Sequence, residues 1–104
     1  MTLWKQTSVE VIELSGTLDR NTIPELWQQA QAWPWDTSRL NLDFSRVESS
    51  DSAAMALILH IIQHAKKYHC HIMLRSVPDK LLTLFEVSNA LPLIAEHLEV
   101  KIEG

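Results

Sequence analysis

The chain has 104 residues, of which 46% are hydrophobic and 21% charged, a balance that predicts one ordered globular domain over residues 1–104. Its formal net charge of −4, with no cluster of Lys and Arg, argues against binding to nucleic acid or directly to an anionic membrane surface. The N-terminus lacks the pattern of a signal peptide, and the longest apolar run, residues 53–59, is far shorter than the roughly 18 residues of a membrane span. With one cysteine, Cys70, and no internal disulfide, we expect a cytoplasmic protein.

The N-terminal part predicts two strands and a helix. Residues 3–7 form a short edge strand, and residues 9–14 form the next, with Val9, Val11 and Leu14 facing inward. Residues 15–19, which contain Gly16, end this strand. Asn21 or Thr22 caps the first helix, which residues 33–36 terminate because a residue before proline avoids helical geometry. The apolar stripe of this helix is Ile23, Leu26, Trp27 and Ala30.

The centre of the chain, residues 40–59, predicts a strand followed closely by a helix. Leu40, Leu42 and Phe44 alternate with polar residues, as in a half-buried strand. Residues 48–52 are short polar side chains that favour a turn and a helix N-cap. The helix runs from about Ser52 to Tyr68, and its inward face consists of Ala54, Leu57, Ile58, Ile61, Ile62 and Ala65. Met55 and Leu59 lie at the border of that face, beside Ser52.

The C-terminal part predicts a strand over residues 71–75 and a third helix beginning at Pro78 or Asp79. The apolar face of the third helix consists of Leu81, Leu82, Leu84, Phe85 and Val87. Residues 93–97 form a helical turn and residues 98–102 a last strand. The fold class is therefore α/β, a mixed sheet of about four to five strands covered by three to four helices.

Side chains with catalytic or metal-binding potential are poorly arranged for chemistry. His60 and His64 have the i, i+4 spacing of metal ligands, but the intervening Glu of a zinc protease and a third ligand are missing, so we expect solvated histidines and no metal. Asp19, Asp43 and Asp51 each follow a strand or turn signal, where acidic residues are common. No glycine-rich loop is present to hold a phosphate. We predict a protein that is not an enzyme and has no cofactor.

Two stretches resemble the signatures of the STAS-domain family. Residues 14–19, Leu-Ser-Gly-Thr-Leu-Asp, resemble its LSGELD-type sequence. Residues 43–47 together with residues 51–57 resemble its DLS-x-V-x-x-x-D-[ST]-x-G-L sequence. The order and spacing of the two motifs cover essentially the whole chain, which implies a STAS-like fold. By this resemblance, Ser52 occupies the position of the family's functional hydroxyl, and Ala54 replaces its usual glycine.

The chain is most similar to one branch of the family in its short length, in Arg46 after Ser45, and in residues 59–62 and 78–80. The members of this branch are subunits of an ABC-type complex that moves phospholipid between the two membranes of Gram-negative bacteria and maintains outer-membrane lipid asymmetry. The resemblance implies that the chain binds and regulates or stabilises the ATPase subunit, and meets the membrane only through the permease complex. The contact would be made by the helix that begins at Ser52, through Ser52, Met55, Ala56, Leu59 and Gln63, with Lys66 beside Gln63 at the polar rim.

Two alternatives remain open from the sequence. The chain could be an anti-sigma-factor antagonist, switched by kinase phosphorylation of Ser52. The methyl group of Ala54 weighs against this switch more than against a binding surface, because it would restrict the approach to the turn. Alternatively, Ser52 could only cap a helix, although Ala53, Ala54 and Met55 supply no partner for a capping box.

Overall fold

The computed structural model describes residues 3–98, which form four strands, four α-helices and a 3₁₀ turn. The elements, in chain order, are β1 (Trp4–Ser8), β2 (Val11–Leu18), α1 (Ile23–Ala32), β3 (Arg39–Ser50), α2 (Ser52–Lys67), β4 (His71–Arg75), α3 (Asp79–Val87), α4 (Leu91–Ile94) and the 3₁₀ turn (Ala95–His97). None of the helices within residues 3–98 is long and apolar enough to cross a membrane.

The sheet has the strand order β1-β2-β3-β4. β1 and β2 are antiparallel, whereas β2, β3 and β4 are parallel to their neighbours. A two-residue turn suffices for the antiparallel pair, but each parallel pair needs a crossover, which α1 and α2 provide. The mixed sheet covered by helices, predicted from the order of elements, is confirmed.

The hairpin of β1 and β2 corrects the expected orientation of Val9. Val9 lies in the turn between the strands and is 78% exposed, while Ile12 and Leu14 are fully buried. Since side chains alternate across a strand, the buried positions of β2 are the even-numbered ones up to Leu14, and Val11 is only half-buried. At the edge of the sheet, the backbone N–H of Trp4 donates to Oε1 of Gln29 on α1 at 2.9 Å.

β2 does not end at residues 15–19 as expected but continues to Leu18. Gly16 lies within it with φ +78°, and the pairing with β3 shifts register on either side of this residue. A bulge of this kind bends the strand while leaving its pairing intact, and the positive φ explains the presence of glycine. The expectation that Gly16 marks unusual dihedral angles is confirmed.

β3 extends further than its apolar alternation indicates. Residues 48–50, predicted as part of a turn, are the last residues of the strand and pair with the end of β2, where Thr17 faces Ser49 and Leu18 faces Ser50. Parallel pairing with a neighbouring strand therefore overrides the local turn preference of these polar residues. Asp51 is the single residue between β3 and α2.

One hydrophobic core lies between the sheet and the helices. Leu40, Leu42 and Phe44 of β3 are buried as predicted, and so are all six residues predicted for the inward face of α2. On α3, Leu81 and Phe85 are buried, but Val87 is 71% exposed at the C-terminal end and does not belong to the core. The predicted turn over residues 93–97 forms as the end of α4 and the 3₁₀ turn.

The last predicted strand, over residues 98–102, lies almost entirely outside the described residues. Leu98, its first residue, forms an isolated parallel bridge with Leu74 of β4.

Three tryptophans cluster beside the C-terminal end of α1. The ring of Trp4 lies 6.0 Å from that of Trp33 and 5.8 Å from that of Trp35, and the latter two rings are 5.0 Å apart at right angles. Nε1 of Trp35 donates to the carbonyl oxygen of Ala30 at 2.9 Å. This cluster packs the end of α1 against β1. The helix ends at Ala32 because Trp33, which precedes Pro34, has an extended backbone, as predicted.

Candidate functional site

The start of α2 lies where the two central parallel strands end. Leu18 of β2 is paired with Ser50 of β3, and the N–H of Asp51 donates to the carbonyl oxygen of Leu18 at 3.2 Å. In open α/β sheets, the carboxyl ends of adjacent parallel strands are the usual place for a binding site. Ser52 therefore lies at the carboxyl ends of the central strands, where a binding site is expected.

Asp51, not Ser52, caps α2. Its Oδ1 accepts a hydrogen bond from the N–H of Ala53 at 2.8 Å, and its backbone is extended, as is typical of an N-cap residue. Ser52 is the first helical residue and is exposed, and within residues 3–98 its hydroxyl makes no hydrogen bond. This hydroxyl is consequently available to another molecule.

Hydrogen bonds also fix the turn between β2 and α1. Oδ1 of Asp19 accepts from the N–H groups of Asn21 at 2.8 Å and Thr22 at 3.1 Å. The hydroxyl of Thr22 donates to the carbonyl oxygen of Thr17 at 2.7 Å. Thr22 occupies the N-cap position of α1, but its side chain makes no capping bond to that helix. The turn is thus held in one conformation, and it presents Arg20 next to the start of α2.

The three carboxylates considered in the sequence have structural partners. Oδ1 of Asp43 accepts from the N–H of Ser45 at 2.9 Å, much as Asp19 and Asp51 accept from nearby backbone groups. Each stabilises a turn, a strand or a helix start, which agrees with the common role of acidic residues in turns.

The five residues predicted to bind a partner lie along one side of α2. Ser52, Ala56 and Gln63 are exposed, whereas Met55 and Leu59 are half-buried and pack against the edge of the core. Lys66, one turn beyond, is exposed. We call the set Ser52, Met55, Ala56, Leu59 and Gln63 the α2 face. Its apolar centre has one polar residue at each end.

Ala54 does not belong to this surface. It is completely buried, and its methyl group is directed into the core. The expectation that this methyl would restrict the approach to Ser52 is wrong, because Ala54, the third residue of α2, is buried on the core side of the helix, whereas Ser52 is exposed. The replacement of glycine by alanine at this position therefore leaves the surface around Ser52 unobstructed.

A cavity of about 350 Å³ lies between the start of α1 and the first turns of α2. The lining residues are Arg20, Ile23, Pro24, Trp27, Ala53, Ala56, Leu57 and His60. The sequence indicated no cavity and assigned Ile23 and Trp27 to the core, yet both are half-buried at its wall. In the sequence, the only feature consistent with a cavity is the pair of small residues Ala53 and Ala56, three positions apart, whose short side chains leave space between α2 and α1. Ala56 also belongs to the α2 face, so the two features adjoin.

The two histidines of α2 differ in environment. His60 is exposed as expected, with its ring 5.9 Å from that of Trp27. His64, also expected to be solvated, is half-buried, with its ring 5.4 Å from those of both Trp27 and Trp35. Burial, and then the charge of Lys67, lower the pKa of His64, which favours its neutral form.

No cluster of metal ligands forms around these histidines: residues 3–98 contain no group of three or more His, Cys, Asp or Glu that could hold a metal ion. Cys70 is buried immediately before β4, and burial raises the pKa of its thiol.

Comparison with known proteins identifies the family. The family model described as "Mlab, STAS domain" matches residues 1–93. The chain is 35% identical to the intermembrane phospholipid transport system binding protein MlaB of Escherichia coli (strain K12). The 86 aligned residues cover 83% of this chain and 86% of that protein. The MlaB protein of Shigella flexneri matches with the same identity and coverage.

Solved structures share the fold at lower identity. A sulfate transporter family protein from Wolinella succinogenes superposes with a TM-score of 0.70 at 16% identity, covering 90% of this chain and 80% of that chain. The anti-sigma factor antagonist SpoIIAA in its unphosphorylated form superposes with a TM-score of 0.66 at 19% identity, covering 96% and 87%. At these identities the likeness concerns the fold alone. The family model and the identity to the MlaB proteins carry the assignment: the chain belongs to the STAS-domain family, within the MlaB group.

Proposed function

We propose that the chain is a non-catalytic subunit that binds the ATPase of an ABC-type intermembrane phospholipid transport system and regulates or stabilises it. The similarity to proteins named as binding proteins of such a system, over 83% of the chain, supports this role. In this proposal the chain contributes to outer-membrane lipid asymmetry, and it is a cytoplasmic protein that reaches the inner membrane through the ATPase and the permease.

The observation that carries the proposal is that the α2 face is accessible and that the chain does not use the hydroxyl of Ser52 to cap its own helix. Asp51 provides the cap of α2, so the exposed hydroxyl of Ser52 is not needed for the stability of the helix. Met55 and Leu59 are covered on one side by the core and accessible on the other. Methionine adapts to irregular partner surfaces, and an apolar centre with polar ends suits a protein interface.

Binding through α2 can regulate an ATPase without any chemistry in this chain. A subunit that binds one conformation of the ATPase more tightly than another shifts the population toward that conformation by the difference in binding free energy. α2 is suited to this task because its inner face is anchored by six buried residues, which hold the exposed side in a fixed position. Little conformational freedom of this helix would then be lost on binding.

The test is co-purification of the ATPase with a Leu59→Asp variant. A carboxylate in the centre of an apolar interface would be desolvated without a partner, so we expect the affinity to fall at least about tenfold. Leu93→Asp is the matched control, since Leu93 on α4 is 60% exposed and lies outside the α2 face. Circular dichroism establishes that both variants are folded. Wild-type affinity of a folded Leu59→Asp variant would contradict the proposal.

A second candidate is a phosphorylation-switched antagonist of an anti-sigma factor. It is favoured by the exposed Ser52 hydroxyl, which is accessible to a kinase. A phosphate there would be favoured by the N-terminus of α2 and opposed by the carboxylate of Asp51. Mass spectrometry after incubation with the cognate kinase separates the two functions. Stoichiometric phosphate on Ser52 would support the antagonist, and its absence is expected for the transport subunit.

A further inference from the structure

The cavity beside the α2 face has a volume of about 350 Å³, enough to receive a side chain. It is formed by the first turn of α1 on one side and by Ala53, Ala56 and Leu57 of α2 on the other. Trp27 and His60 also line it, with their rings 5.9 Å apart. Because Ala56 belongs both to the cavity and to the α2 face, a protein that covers this face also covers the cavity mouth.

The two polar side chains that line the cavity are both basic. Six of the eight lining residues are apolar, the other two are Arg20 and His60, and no acidic residue lines the cavity. Arg20 is exposed, and within residues 3–98 it forms no ion pair. On a chain with a net charge of −4, a cationic group beside an apolar cavity is a local reversal that favours an acidic ligand.

The backbone that carries Arg20 is already ordered. Asp19 and Thr22, its neighbours in the turn, are held by hydrogen bonds of 2.7 to 3.1 Å to each other and to Thr17. Only the side chain of Arg20 must therefore become ordered when it pairs with a carboxylate, which reduces the entropic cost of binding.

We propose that this cavity is the anchoring pocket for the ATPase. The ATPase would insert one large apolar side chain between α1 and α2, and an Asp or Glu next to that side chain would pair with Arg20. This inference rests on the proposed function and specifies the partner's binding segment. Interfaces commonly concentrate their affinity in one such buried apolar anchor surrounded by weaker contacts.

Two variants of the chain test the pocket through its two properties. Ala53→Leu places a larger side chain in the cavity, and Arg20→Glu reverses the charge at its mouth. We expect each to weaken ATPase binding roughly tenfold or more. Arg39→Glu is the matched control for the charge reversal, because Arg39 is exposed at the opposite end of β3, and we expect a change of less than about twofold. The measurement is the dissociation constant of the purified ATPase for each folded variant.

Salt dependence provides a second readout that does not depend on Ala53→Leu folding. The affinity of the wild-type chain should fall with rising ionic strength more steeply than that of an Arg20→Gln variant, since the exposed ion pair is screened by salt. Equal salt dependence of the two proteins would overturn the pairing of Arg20 with a carboxylate.

The Leu59→Asp variant separates failure of this inference from failure of the proposed function. If Leu59→Asp loses the ATPase while Arg20→Glu and Ala53→Leu bind like the wild type, the pocket is not an anchor although the function stands. If Leu59→Asp also binds like the wild type, the docking function itself is wrong. A small amphiphile is the other occupant to consider. Saturable binding of decanoate that requires Arg20, with ATPase affinity unaffected by Arg20→Glu, would assign the cavity to such a ligand and overturn the proposal.

Discussion

Replacement of Asp51 should destabilise the fold more than replacement of Ser52. The bond from the N–H of Ala53 to Oδ1 of Asp51 is lost in Asp51→Ala, which costs about 1 kcal/mol for the cap, and loss of the negative charge at the helix N-terminus adds about 0.5 kcal/mol. Asp51→Asn keeps the acceptor and loses only the charge contribution of about 0.5 kcal/mol. Ser52→Ala removes a hydroxyl without a hydrogen bond within residues 3–98, so we expect a change below about 0.5 kcal/mol.

These free energies translate into measurable changes in Tm. An unfolding entropy of about 2.1 cal/mol/K per residue gives roughly 0.2 kcal/mol/K for a chain of 104 residues. Asp51→Ala should lower Tm by about 7 °C and Asp51→Asn by about 2 °C, with little change for Ser52→Ala. Thermal unfolding followed by circular dichroism measures all three. If Ser52→Ala lowered Tm as much as Asp51→Ala, the assignment of the cap to Asp51, and of Ser52 to recognition, would be refuted.

Three further predictions concern the interior and the backbone. The pKa of His64 is lowered on folding, so its neutral ring contributes stability that is fully present above the unfolded-state pKa of 6.5 and is lost as the pH falls below 6.5. The free energy of unfolding of His64→Gln, measured in urea, should therefore depend less on pH in this range than that of the wild type. Burial and a raised pKa should make Cys70 react slowly with a thiol reagent until the chain unfolds, which absorbance of the released chromophore records. Gly16→Val should lower the free energy of unfolding by about 1 to 2 kcal/mol, because the positive φ of this residue is unfavourable for a β-branched side chain. Steric conflict is not the cause, since a Cβ would make only an ordinary contact at 3.9 Å with Leu3. Gly16→Asn should cost less, and equal losses for the two variants in urea titrations would contradict a backbone origin.

The most regular patterns in the sequence predicted the fold best. The alternation of Leu40, Leu42 and Phe44 and the six apolar positions of α2 are confirmed as buried, because each pattern repeats with the period of its own element. The boundaries of β4 over residues 71–75 are also confirmed. In these segments local preference and tertiary packing favour the same conformation.

The wrong expectations concern residues whose environment depends on a neighbouring element. Residues 48–50 are strand because β2 pairs with them. His64 is half-buried because Trp27 of α1 and Trp35, in the segment after that helix, pack against it. Similarly, the α2 face was predicted from one helix, whereas the cavity needs two helices at a particular separation. No periodicity in a single segment contains that information.

The positions of the four tryptophans make them separate optical probes. Trp4, Trp33 and Trp35 contact one another beside the C-terminal end of α1, whereas Trp27 lies at the wall of the cavity. The emission of the first three should report whether α1 remains packed on β1. A version of the chain that retains Trp27 alone would instead signal occupancy of the cavity, so that complex formation can be followed by fluorescence without attaching a dye.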